Sequence, residues 1–139
     1  MPNRSDQKVK EFAKRLLAQE AGSGRAAVAD AGAFRVCEKL RKSLGKLMGA
    51  AGYRAIFAHA LARAQTKVGW LSELRIEPDG TLTGLVEIKA RLNGEELAEG
   101  EAALVTELLR LIVIFIGPTL TLQLIQQAWP KAKFSEGEL

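Results

Sequence analysis

The chain has 139 residues, 47% apolar and 26% charged, with one cysteine, one histidine and a net charge of +4. A single cysteine excludes an intrachain disulfide framework and a multi-cysteine metal site, and it fits a reducing compartment. This length implies one domain, residues 1–139, large enough to hide about two-thirds of its unfolded surface without covalent staples.

Charge is unevenly placed. Residues 1–69 carry 14 Lys/Arg and 5 Asp/Glu, and residues 70–139 carry 6 and 11, so the halves stand at +9 and −5. Such a split suits an anionic partner for the first half, or two halves that fold against each other.

The opening MPNRSDQKVK has no apolar run of the signal-peptide kind, which points to the cytoplasm. Residues 5–20 are predicted to form a helix, because Val9, Phe12, Ala13, Leu16 and Leu17 fall on one face. Ser5 or Asp6 would cap it. AGSGR, residues 21–25, is read as a loop. A second helix is expected from Ala26 or Asp30 to Met48, burying Phe34, Cys37, Leu40, Leu44, Leu47 and Met48, with Gly49 and Gly52 ending it. A third covers residues 53–68, with Tyr53, Ile56, Phe57, Ala60, Leu61, Ala64 and Val68 inward and Gly69 as its stop.

The period then switches to alternation. Leu74 and Ile76 alternate with Glu73, Arg75 and Glu77, and Leu82, Gly84, Val86 and Ile88 alternate with Thr83, Leu85, Glu87 and Lys89, around Pro78-Asp79-Gly80. This predicts a β-hairpin over about residues 73–90. A fourth helix starts at Glu95, where Glu96, Glu99 and Glu101 meet the positive end of the helix dipole. It runs into LLRLIVIFI, residues 108–116, apolar on every side, as befits the buried centre of a bundle. Gly117-Pro118 should break it and open a fifth helix over residues 119–129. Residues 131–139 read as a flexible tail. No charge occurs between Arg110 and Lys131, a gap of 20 residues, long enough for a bilayer. Thr119, Thr121, Gln123, Gln126 and Gln127 within it favour a protein core over lipid.

No catalytic constellation, metal set or nucleotide loop emerges, so neither enzymatic activity nor a cofactor is expected. Cys37 lies on an apolar stripe and reads as a core residue. Gly22-Ser23-Gly24-Arg25 lacks the lysine and hydroxyl of a phosphate loop. Glu95, Glu96, Glu99 and Glu101 lack calcium-loop spacing. Arg35, Lys39, Lys42 and Lys46 share a helix face, with Arg41 beside them. They form a candidate anion or nucleic-acid surface, although no interleaved aromatics or base-reading turn accompany it. His59-Ala60-Leu61 resembles the phosphoacceptor motif of histidine phosphotransfer domains, in which histidine, any residue and leucine precede lysine and glycine. Ala62 and Arg63 occupy the last two places here. The resemblance implies a small helical bundle with His59 as an exposed phosphoacceptor, and Arg63 would obstruct a partner's approach.

The expected fold is mainly α: a four- to five-helix bundle around a buried C-terminal helix, with one hairpin. The expected function is a non-enzymatic interaction or regulatory module that self-associates. Leu120, Leu124 and Trp129 are the candidate interface, and the partner is a protein or a second copy, with nucleic acid as the alternative and the membrane disfavoured.

Overall fold

The computed structural model describes residues 4–22, 32–78, 80–130, 132–134 and 139. The protein is mainly helical. Three long helices, α1 (Arg4–Gly22), α2 (Gly32–Gln65) and α4 (Gly94–Ala128), are joined by a 3-10 turn (Gly69–Glu73), a two-stranded hairpin and a short helix, α3 (Leu85–Lys89). The long C-terminal helix packs against α2 and α1.

Helix α1 follows the apolar stripe: Val9, Phe12, Ala13 and Leu16 are buried. The side chains of Ser5 and Asp6, the loop at 23–25 and the start of the second helix lie outside what the structure describes.

Helices α2 and α4 are each broken once, at a glycine. Gly49 has φ 84°, ψ 160°, and Gly117 has φ 83°, ψ 162°. Only glycine enters that region without steric cost. These two helices therefore each consist of two halves, the expected helices two and three and the expected helices four and five. Gly52 lies within the second half of α2 rather than at an end. Pro118 opens the second half of α4, and the Thr121 hydroxyl donates to the Gly117 carbonyl at 2.7 Å.

The halves pair antiparallel. Lys39 lies over the Trp129 ring, and Ser43, Lys46 and Leu47 share a hollow with Leu124 and Gln127. Lys67 and Arg63 reach Glu107, while Trp70 donates to the Glu96 carbonyl at 3.2 Å. The Trp70 ring occupies the space that a side chain on Gly100 would take. Both pairings bring Gly49 and Gly117 to the same end of the molecule.

The hairpin is far smaller than the alternation implied. β1 (Arg75–Ile76) pairs antiparallel with β2 (Leu82–Thr83), in register Arg75↔Thr83 and Ile76↔Leu82. Gly84, at φ 97°, then turns the chain into α3. A side chain at Gly84 would press on the Glu73 carbonyl at 3.1 Å. Leu85 and Ile88 would face opposite sides of a strand, but at helical i, i+3 spacing they share one face, and both are buried. With the helical core to cover them, the helix prevails.

Helix α4 begins with a capping box just before the expected start at Glu95. Asn93 accepts from the Glu96 amide at 2.7 Å, and the Asn93 amide donates to the Glu96 carboxylate at 3.1 Å. At the other end, part of the expected tail is docked. Ala132 is buried, Phe134 sits 4.5 Å from Phe12, and Arg15 donates to the Lys133 carbonyl at 3.0 Å. Residues 131 and 135–138 lie outside the described structure.

Candidate functional site

The apolar segment of α4 divides into covered and bare parts. Leu104, Val105, Leu108, Leu109, Leu111 and Ile112 are buried. Ile114 and Phe115 are 71% and 64% exposed, contrary to the expectation of burial along the whole segment. Leu47, expected in the core, is 49% exposed. Leu47 precedes Gly49 by two positions, and Phe115 precedes Gly117 by two. Among the described residues, the exposed large apolar side chains Leu47, Ile114 and Phe115 thus all lie within one turn of a glycine break.

The proposed interface residues fall elsewhere. Leu124 is 9% exposed and Trp129 3%, so both belong to the chain's own core, and Leu120 is half-buried. Trp129 faces Lys39 because the second half of α4 folds back along the first half of α2.

The basic stripe is also divided. Arg41 pairs with Glu38 at 2.8 Å, and Lys39 covers the Trp129 ring at 5.1 Å. Arg35 is half-buried, whereas Lys42 and Lys46 are exposed. His59 is exposed on the second half of α2, one turn before Arg63.

Cys37 is buried, 3% exposed. Burial, with the Glu38 and Glu101 carboxylates adding to it, pushes its thiol up to about 12. Tyr53 donates to the Cys37 carbonyl at 3.2 Å, and burial likewise drives its phenol upward. A thiol held neutral in this way is a poor nucleophile.

Sequence reasoning missed Glu107. Its side chain is 1% exposed, yet it meets three cations: Arg110 at 3.0 Å, Lys67 at 3.3 Å and Arg63 at 3.6 Å. A carboxylate in the core is tolerable only with such partners. The legible signal was an acid three residues before Arg110 within an apolar run, which places both on one helix side. Arg63 and Lys67 could not have been foreseen, since they arrive from α2. This cluster fastens the second half of α2 to the first half of α4.

By length and composition α4 could cross a membrane. In this fold only 39% of its apolar window is buried, and the buried stretch of the helix carries Glu107 with its three cations. Among the acidic residues at its start, Glu96 is taken up in the cap and Glu95 and Glu99 are exposed. Among the described residues no group of three His, Cys, Asp or Glu side chains converges to hold a metal. Comparison of the chain with protein families, with characterised proteins and with solved structures found no match.

Proposed function

We propose that the protein is a non-enzymatic interaction or regulatory module of the cytoplasm that pairs with a second copy of itself through the tip at Leu47, Ile114 and Phe115. The exposure of Ile114 and Phe115 beside a glycine break carries this reading. Two bulky apolar side chains that the described residues leave bare are best covered by another surface. A twofold contact would place the same patch on both sides and remove its area from water at about 25 cal/mol per Å². In the same reading the fold is a four- to five-helix bundle ordered around the C-terminal helix, with residues 104–112 as its covered centre and residues 113–117 as its contact end.

Sedimentation equilibrium tests the proposal. The wild type should be a dimer that dissociates on dilution, and Phe115→Ser should be a folded monomer under the same conditions. A wild type that stays monomeric, or a variant with unchanged self-affinity, refutes the reading.

A second reading, anion or nucleic-acid binding along α2, is supported by the exposure of Lys42 and Lys46. Binding of this kind must weaken steeply with salt. Absence of binding to duplex and single strands at low salt removes it.

A further inference from the structure

A groove of about 460 Å³ runs between α1, the end of α2 and the first half of α4. That is the volume of a small-molecule site. Lys10 and Lys14, one turn apart on α1, contribute one wall, and Glu95 and Glu99, one turn apart on α4, contribute another. None of these four makes an ion pair with a described residue. Lys67, at the inner end, is drawn instead to Glu107 at 3.3 Å. Ala98 and Ala102 keep the floor between the walls open and apolar. Thr106 also lines the floor. It is 7% exposed, and its hydroxyl has no hydrogen-bond partner among the described residues.

Opposite charges thus line one groove without meeting, over an apolar floor, beside an unsatisfied buried hydroxyl. A simple anion would be repelled by Glu95 and Glu99, and a simple cation by Lys10 and Lys14. A molecule bearing both charges on a short apolar stem satisfies both walls. We propose that this groove binds a small zwitterion of the amino-acid class. Its acid group faces Lys10 and Lys14, its ammonium faces Glu95 and Glu99, and its stem lies over Ala98 and Ala102. The site is formed by residues remote from the tip, so it stands or falls independently of self-association.

The test is an NMR titration of the full chain with ε-aminocaproate as the probe, and with caproate and hexylamine as single-charge controls. The expected result is saturable amide shifts centred on Lys14, Ala98, Ala102 and Thr106. Each control should bind about fivefold more weakly, as should Lys14→Met and Glu99→Gln, the effect of one partly exposed ionic contact. Both substitutions lie on exposed positions, and an unchanged spectrum elsewhere verifies the fold. Three results overturn the proposal: no saturable shifts in the groove, caproate or hexylamine binding as tightly as the zwitterion, or unchanged affinity in both variants.

Discussion

Residues 104–112 of α4 include Thr106, Glu107 and Arg110 and are mostly buried, whereas the wholly apolar residues 113–116 are not. The first stretch buries Leu104, Val105, Leu108, Leu109, Leu111 and Ile112 and accommodates a carboxylate, Glu107, with its three cations. The second leaves Ile114 and Phe115 largely in water. The difference is one of neighbours. The second half of α2 lies along the first stretch, and among the described residues nothing covers Ile114 and Phe115. Hydrophobicity supplies the drive to be buried, and topology decides which residues receive a partner.

Substitutions can sharpen that contrast. The largest effect is expected at Leu108, which is fully buried. Leu108→Ala should cost about 3 kcal/mol in urea unfolding, from lost transfer energy and the cavity left behind. Glu107→Ala should cost about 2–3 kcal/mol, because it leaves Arg63, Lys67 and Arg110 facing one another over the core. Those cations are partly exposed and can rehydrate, which keeps the loss below that of a fully buried pair. A Glu107→Ala protein as stable as wild type would mean that the cluster does not fasten the two helix halves.

The breaks themselves provide the next test. A side chain at Gly117 would meet no atom within 4 Å, so the cost of Gly117→Ala comes from backbone conformation alone. It should be about 1–3 kcal/mol. Gly45 lies inside a regular helix and also has open space. Gly45→Ala should therefore stabilise by about 0.5–1 kcal/mol. Equal effects at the two glycines would contradict the broken geometry of α4.

The pH dependence of Cys37 follows from its raised pKa. Below the ordinary value of 9.0 the thiol is neutral in both folded and unfolded chains and contributes nothing to the slope. Between 9.0 and about 12 the unfolded chain loses the proton while the folded one keeps it, so stability falls as pH rises. The slope is at most about 1.4 kcal/mol per pH unit. Cys37→Ala should flatten the fall in unfolding free energy just above pH 9. Tyr53 acts in the same direction from its ordinary value of 10.0 upward. The smallest effect belongs to the bare stretch: Phe115→Ser, measured on dilute monomer, should change unfolding free energy by less than about 0.5 kcal/mol. A large loss there would show that Phe115 packs within its own chain.

Much of the helical plan was legible because local rules and burial agree. Val9, Phe12 and Leu16, and later Ile56, Phe57 and Leu61, repeat at helical spacing and are buried at that spacing. Gly117-Pro118 announced a break by backbone chemistry alone. The hairpin was legible only in part: residues 85–89 satisfy both periods, and the left-handed turn at Gly84 settles the choice. Capping at Asn93 could have been read from an asparagine followed three residues later by glutamate.

The sequence alone determined where the long helices lie and where Gly117 breaks the last of them, since propensity, periodicity and glycine geometry act over a few neighbouring residues. Only the tertiary structure decided which apolar residues are covered. Leu124 and Trp129 are buried, and Ile114 and Phe115 are not, because burial depends on segments dozens of residues away. The same holds for the Glu107 cluster and for the groove between Lys14 and Glu99, whose members come from different helices. Their chemistry exists only once α1, α2 and α4 are packed together.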